Sequence, residues 1–282
     1  MRSRGLRASI LLLPGALVIA VFFAMMSAMA RYSLAPGDAG LSGAGGLTLE
    51  HYRRFLGSAF YWSYLTGSLW ISLYCTLITA VLGYFIAYFM FCARPVVRLV
   101  VGSVLIVQFF TAYVIRTYAV MLVIGKTGFL NQLLLASGVI GEPLRILFTH
   151  AGVAIGLVQV SLPFMVFPIL ASLNTVSPNL EMASASLGAN HFKTFWTVTF
   201  PLTLPGIAAG VIVVYLFELT SYIVPGMLGG GYADMIANLI YNKAMRSFEY
   251  GFSAATAMVT LLLSGLIVYI LNRSFNRLAR YG

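Results

Sequence analysis

The chain has 282 residues, of which 60% are hydrophobic and only 9% are charged. Soluble domains carry about 25% charged residues, so this composition excludes a water-soluble fold and indicates a protein that uses the lipid bilayer as its solvent. The formal net charge of +10 does not indicate a nucleic-acid-binding protein, because the basic residues are scattered among long apolar runs and form no patch.

The first predicted element is a membrane span near the amino terminus. Arg2, Arg4 and Arg7 precede an apolar run, a pattern that secretory signal peptides share. Residues 8–30 carry no charge, and this run is longer than the core of a signal peptide, which has about 7–15 residues. We therefore predict a retained transmembrane helix over 9–30.

Five further stretches are long and apolar enough to cross about 30 Å of hydrocarbon as α-helices. They are residues 65–91, 99–122, 148–171, 202–225 and 252–272. Between the first two spans, residues 49–56 place charged and apolar side chains at helical spacing, which predicts a short helix on the membrane surface. The predicted fold is all-α, a polytopic membrane protein with about six transmembrane helices in a single domain over 1–282.

Basic clusters predict the orientation, because the cytoplasmic flanks of membrane spans carry an excess of Lys and Arg. In a six-span arrangement the amino-terminal arginines, the loop from Arg94 to Arg98 and the tail from Arg273 to Arg280 all lie on one side. We therefore expect both termini in the cytoplasm.

Residues 176–201, between the fourth and fifth spans, carry the signals of two short helices. Ser177 and Pro178 are a typical helix start, and Gly188 can end that helix in a left-handed turn. A solvated loop would not need the apolar side chains of this segment, so we expect a docking element on the cytoplasmic surface, with an ordinary loop as the alternative. The apolar side chains are Leu180, Leu187, Phe192, Phe195 and Trp196.

Two ionisable residues, Arg116 and Glu218, lie well inside predicted spans. A charged side chain at that depth costs several kcal/mol unless it is paired or faces water. In one interpretation Glu218 is a transient counter-charge for a cationic cargo, and Tyr118, Tyr215 and Tyr222 line the same path. In the other, Glu218 and Arg116 form an ion pair that joins two helices. The sequence leaves both interpretations open.

The sequence contains no motif for catalysis or nucleotide binding. The segment 125–127 lacks the preceding glycine of a phosphate-binding loop, so we predict a chain that is not an enzyme and binds no cofactor of its own. Two pairs of small residues are spaced for close packing of membrane helices. They are Gly152 with Gly156 and Gly206 with Gly210.

Residues 180–206 resemble the E-A-A loop of the permease subunits of ABC importers. That pattern is roughly E-A-A, three residues, Gly, nine residues and I-x-L-P. The matching residues are Ala183 to Ala185, Gly188 and Pro201, whereas the position of the family's glutamate is Met182 and Glu181 lies one residue earlier. Further matches, in the same order, narrow the resemblance to spermidine/putrescine-type permeases. They lie at 83–88, 115–119, 128–134, 162–165, 201–210 and 227–230.

The resemblance implies the type I ABC-importer permease fold in a bacterial inner membrane. It also implies a cytoplasmic coupling helix that contacts an ATP-binding subunit. The expected contact residues are Glu181, Met182, Ala183, Ala185, Leu187, Gly188, Ala189 and Phe192.

Three partners follow from the same resemblance. They are a dimer of ATP-binding subunits that holds ATP and Mg, a second permease expected to be a different chain, and a periplasmic solute-binding protein. The expected cargo is a polyamine or a related small cation. Opines, amino acid derivatives, phosphonates and ferric iron are the alternatives within the importer class, and a secondary transporter or channel is the alternative outside it.

Overall fold

The computed structural model describes the backbone of residues 2–37 and 46–281, and the side chains of the same ranges except 2–13, 178, 181, 276 and 278–281. These residues form thirteen α-helices and no β-strand, so the all-α prediction is confirmed for the described part. The helices are α1 (Arg2–Ser33), α2 (Glu50–Leu56), α3 (Ala59–Cys92), α4 (Pro95–Phe110), α5 (Tyr113–Ile124), α6 (Phe129–Ala136), α7 (His150–Leu173), α8 (Pro178–Ser186), α9 (His191–Thr194), α10 (Phe200–Leu219), α11 (Ile223–Leu228), α12 (Ile236–Met245) and α13 (Tyr250–Tyr281).

Six helical stretches in the described ranges are long and apolar enough to cross a membrane. The first, second, fourth and sixth predicted spans coincide with α1, α3, α7 and α13, and the predicted surface helix coincides with α2. The number of candidate spans therefore agrees with the prediction, although two of the six differ in their bounds.

The predicted third span, a continuous helix over 99–122, is wrong. Thr111 and Ala112 have extended backbones, with ψ of 136° and 135°, and they separate α4 from α5. The stretch with the length and apolarity of a span is Tyr113–Ala136, formed by α5 and α6. Neither interrupting residue is Gly or Pro, so the apolar run alone carried no signal for this break.

The fifth candidate span begins earlier and ends earlier than the predicted 202–225. It covers His191–Leu219, because a π-helical turn at Phe195–Thr199 joins α9 to α10 without a break. The helix ends at Leu219, and α11 starts again at Ile223.

Contacts within the chain divide it into two compact units. The first comprises the described residues of Met1–Trp62 and Ile240–Leu262, and the second those of Ser63–Leu239 and Leu263–Gly282. The prediction of one permease domain over 1–282 stays a prediction, since a grouping by contacts does not test it.

The first unit has an aromatic core at the start of α13. Phe55 of α2 is fully buried, and the ring of Tyr61 lies 4.7 Å from that of Phe252, centroid to centroid. The surface helix α2 is therefore held to the beginnings of α3 and α13 by apolar packing.

The second unit is built around α7. In the most apolar window of α7, 61% of the residues are buried, compared with 33% or less in the other five candidate spans. Its first half packs in a cluster with Cys75 and Val224, and its second half in a cluster with Ala87, Leu105 and Val214. Helix α7 is thus the central helix of this unit.

Candidate functional site

The segment between α7 and α10 forms an elbow of two helical arms, which we define as residues 177–196. Its first arm is α8. The hydroxyl Oγ of Ser177 accepts a hydrogen bond from the backbone N–H of Asn179 at 3.3 Å, and a proline follows Ser177 at the first helical position. The helix start predicted from Ser177 and Pro178 is confirmed.

The first arm ends at Gly188 in the left-handed turn that the sequence predicts. Gly188 has φ of +82°. Its N–H donates to the carbonyl of Ala185 at 2.9 Å, and the N–H of Ala189 donates to the carbonyl of Ser184 at 3.1 Å. These two bonds form the Schellman motif that commonly ends a helix.

The second arm is α9, and it differs from the prediction of a separate short helix. Asn190 caps it by accepting a hydrogen bond from the N–H of Lys193 at 2.8 Å. The arm then continues through the π-helical turn into α10. The two arms are braced by a hydrogen bond between the hydroxyls of Ser184 and Thr194 at 3.0 Å. A displacement of the elbow therefore acts directly on the fifth candidate span.

The elbow presents apolar side chains to its surroundings. Leu187 is 89% exposed, Phe192 is 73% exposed and Met182 is 59% exposed. Ala183, Ala185 and Gly188 are also exposed, and Ala189 is half-buried. Glu181 belongs to α8, but its side chain lies outside the described residues. An exposed apolar surface of this kind is typical of a protein interface.

An aromatic cluster, which sequence reasoning missed, connects the elbow to α3. The ring of Phe195 lies 5.8 Å from that of Tyr84 and 5.2 Å from that of Tyr88. Trp196 extends the cluster, with its ring 5.2 Å from Phe195 and 5.0 Å from Phe200. The elbow is therefore packed against a second membrane helix as well as being continuous with α10.

Glu218 of α10 is fully buried, and its carboxylate lies between this helix, α3 and α7. Its Oε2 accepts a hydrogen bond from the hydroxyl of Thr76 at 2.9 Å, and its Oε1 accepts one from Ser161 at 2.8 Å and a longer one from Thr79 at 3.4 Å. These hydroxyls belong to α3 and α7. Thr76 and Thr79 lie three residues apart and share a helix face, a signal that could have identified them as partners of the carboxylate.

The structure does not show the ion pair between Glu218 and Arg116 that was one of the two interpretations left open by the sequence. A different acid, Glu249, makes ion pairs with Arg54 and Lys243. The guanidinium of Arg116 instead donates to the carbonyl of Val160 at 3.4 Å and lies 5.8 Å from the ring centre of Tyr113. The sequence placed both charges inside spans, but the directions of their side chains depend on how the helices are rotated.

The three predicted path tyrosines occupy different environments. Tyr215 is buried, whereas Tyr118 is 52% exposed and Tyr222 is 46% exposed. A further tyrosine, Tyr113, shares a hydrogen bond of 2.6 Å with the hydroxyl of Ser221, next to the end of α10. The structure thus places serine and threonine hydroxyls on both oxygens of Glu218, and the predicted role of the three tyrosines stays a prediction.

The family of binding-protein-dependent transport system inner membrane components matches residues 10–281. The chain belongs to this family. Among similar curated proteins, the spermidine/putrescine transport system permease protein PotB of Escherichia coli is 37% identical over 79% of this chain and 81% of its own length. The protein of the same name from Haemophilus influenzae is 31% identical over 95% of this chain and 90% of its own length.

Solved structures show the same fold at low sequence identity. A bacterial ABC transporter that imports the acidic polysaccharide alginate has a TM-score of 0.76 at 17% identity, covering 98% of this chain and 96% of that chain. The methionine ABC transporter MetNI, in an inward-facing form, has a TM-score of 0.56 at 16% identity, covering 79% of this chain and 98% of that chain. By its family and by its relatives of 31–37% identity, this permease is a multi-pass, non-catalytic subunit of an ABC importer in the inner membrane.

Proposed function

We propose that this permease imports polyamines, such as spermidine and putrescine, or a related small cation. The observation that carries the proposal is the 31–37% identity to spermidine/putrescine permeases over most of the chain. The fully buried carboxylate of Glu218, one residue before the end of the fifth candidate span, supplies a negative charge that suits such a cargo.

Both termini and the elbow are proposed to lie in the cytoplasm. Arg98, in the basic loop that predicts the cytoplasmic side, donates a hydrogen bond to Asn174 at 2.9 Å. Asn174 ends α7, directly before the elbow. The contact supports a common location for the basic loop and the elbow at one membrane surface.

The elbow is proposed to couple ATP hydrolysis to transport. Its exposed apolar surface fits a groove on an ATP-binding subunit, and a dimer of such subunits would hold ATP and Mg while this chain binds no cofactor. A second permease, expected to be a different chain, completes the membrane part, and a periplasmic binding protein delivers the cargo. The continuity of α9 with α10 and the aromatic cluster on α3 support transmission of this motion to two membrane helices.

Glu218 is proposed to act as a counter-charge when the path is open. In the present conformation three hydroxyls occupy its oxygens, so the buried carboxyl group does not need a cation. Separation of α10 from α3 and α7 would remove these donors and expose the group to an amine.

Uptake measurements test the cargo and the role of Glu218. The complete importer is expressed in cells that lack their own polyamine importers, and the entry of radiolabelled spermidine is followed. We expect saturable uptake that depends on ATP, and a decrease of about tenfold in Glu218→Gln, because loss of one transient charge pair costs on the order of 1.4 kcal/mol. Glu142→Gln, which removes an exposed acid in a connecting loop, is the matched control.

The outcomes are distinct. Unchanged uptake in Glu218→Gln removes this residue from the path but leaves the cargo assignment intact. A complex that carries no polyamine overturns the cargo assignment. Ferric iron is then the next cargo to test, because a ferric transport system permease protein of Actinobacillus pleuropneumoniae is 27% identical over 80% of this chain.

A further inference from the structure

Left-handed backbone conformations identify an unusual position directly before α13. Seven residues in the described ranges have positive φ, and five of them are glycines. The exceptions are Phe148, with φ of 64°, and Phe248, with φ of 58°. A bulky residue in this region is strained because its Cβ crowds the backbone.

At Phe148 the surrounding structure accounts for the strain. The backbone N–H of this residue donates to the carbonyl of Leu228 at 2.8 Å. Its ring lies directly on Gly230, where even a methyl group would collide with the ring. The ring therefore has a packing role inside the second unit, which explains why a bulky residue is kept there.

Phe248 occupies the turn between α12 and α13, in a left-handed conformation that glycine adopts most readily. The turn is held firmly. The N–H of Glu249 donates to the carbonyl of Lys243 at 2.9 Å, and its carboxylate binds Arg54 at 2.5 Å and Lys243 at 2.7 Å. Burial would raise the pKa of the Glu249 carboxyl, but the hydrogen bonds from these two cations lower it overall.

Packing inside the first unit does not explain the ring of Phe248. The side chain is 61% exposed. Its aromatic neighbour is Tyr250, whose ring centroid is 6.3 Å away and whose own side chain is 44% exposed. Strain in a well-held turn that projects an exposed aromatic ring is typical of a functional position.

We propose that Phe248 is an aromatic anchor on which the periplasmic binding protein of this importer docks. This assignment rests on the proposed function, which places the start of α13 on the periplasmic side. Aromatic side chains dominate the binding energy of many protein interfaces. Among the described residues of this turn and its ion pairs, Lys243, Arg246 and Arg54 are basic and Glu249 is acidic, so the matching surface is an apolar pocket bordered by acidic groups.

The charges next to the ring favour a protein partner over the lipid. Arg54 retains 47% of its side-chain exposure while it binds Glu249, and Arg246 is exposed. Such groups lie in the aqueous layer outside the hydrocarbon. An aromatic ring that only anchors the chain to the membrane interface would also not require a strained backbone.

The test uses the complete importer, reconstituted in lipid nanodiscs. The Kd of the binding protein that co-purifies with it, labelled with a fluorophore, is measured for the unaltered complex and for Phe248→Asn and Phe248→Tyr. Asparagine tolerates the left-handed conformation and removes the ring, whereas tyrosine keeps the ring. We expect Phe248→Asn to raise Kd at least tenfold while the melting temperature is unchanged or higher, and Phe248→Tyr to stay within twofold.

A Kd for Phe248→Asn within twofold of the unaltered complex overturns the anchor. If the same variant keeps its Kd but shows a lower melting temperature in nanodiscs, the ring is a membrane or packing contact and the assignment is again overturned. An unaltered importer that binds no binding protein overturns the proposed function, and the anchor with it. Failure of the Phe248 anchor can therefore be distinguished from failure of the proposed function.

Discussion

Gly206 of α10 shows how a single added atom would affect the contact between α10 and α7. A Cβ added at this position would lie 2.5 Å from the Cβ of Ser172 and 2.6 Å from the backbone carbonyl of Pro168. At Gly210 the obstacle is the flexible side chain of Met165, with its sulfur 2.7 Å away. The predicted packing role of this pair is confirmed, and backbone contact makes Gly206 the stricter of the two positions.

We expect Gly206→Ala to destabilise the permease by about 1–3 kcal/mol, the usual cost of overpacking. The backbone of Pro168 cannot move away without displacing α7. The melting temperature of the purified complex in detergent measures the effect. Gly265→Ala is the matched control, because nothing lies within 4 Å of the added atom and its melting temperature should not fall. Equal stability of the two variants would contradict the close approach at Gly206.

At the scale of elements, the elbow combines a rigid turn with a continuous second arm. The Schellman motif at Gly188 fixes the angle between α8 and α9, and the π-helical turn passes the position of α9 on to α10. The exposed apolar residues lie on both arms, so a partner that binds the elbow contacts a surface whose shape depends on one glycine.

We expect Gly188→Ala to weaken the proposed association with the ATP-binding subunit by up to about tenfold. A φ of +82° costs a residue with a Cβ about 1–2 kcal/mol, and relief of this strain changes the angle of the elbow. The fraction of ATP-binding subunit that co-purifies with the permease measures the change. Gly188→Asn is the control, since asparagine tolerates this conformation better. If alanine and the unaltered chain retain the subunit equally, the turn geometry does not matter for docking.

At the scale of the whole molecule, the orientation in the membrane decides which partner each surface meets. One candidate span separates the elbow from the turns that follow α10 along the chain. Leu187 in the elbow is 89% exposed, and Tyr232 after α11 is 87% exposed. A chemical label attached at either position can therefore show on which side of the membrane that position lies.

Single cysteines at these positions test the orientation. Cys92→Ser removes the exposed native thiol, and the buried Cys75 can stay. In spheroplasts treated with a membrane-impermeant maleimide, we expect labelling of Tyr232→Cys and labelling of Leu187→Cys only after lysis. The reverse pattern would place the elbow outside the cell and end the proposed coupling role.

Much of the fold follows from the sequence itself, because the bilayer imposes strong requirements on length and polarity. A helix must be about 20 residues long and largely apolar to cross hydrocarbon, so α1, α3, α7 and α13 could be predicted from composition along the chain. The ends of some helices can also be predicted from the sequence. Ser177 and Gly188 marked the start and the end of α8 because capping depends only on neighbouring residues.

Tertiary structure alone decided the remaining features. The break at Thr111, the continuity of α9 with α10 and the partners of Glu218 all depend on how helices pack and rotate against one another. In a membrane helix the spacing of apolar residues does not show which face packs against protein, since lipid and protein neighbours are both apolar. The sequence therefore determined the number of candidate spans and the positions of four of them, and the packing of α3, α7 and α10 determined which polar atoms meet there.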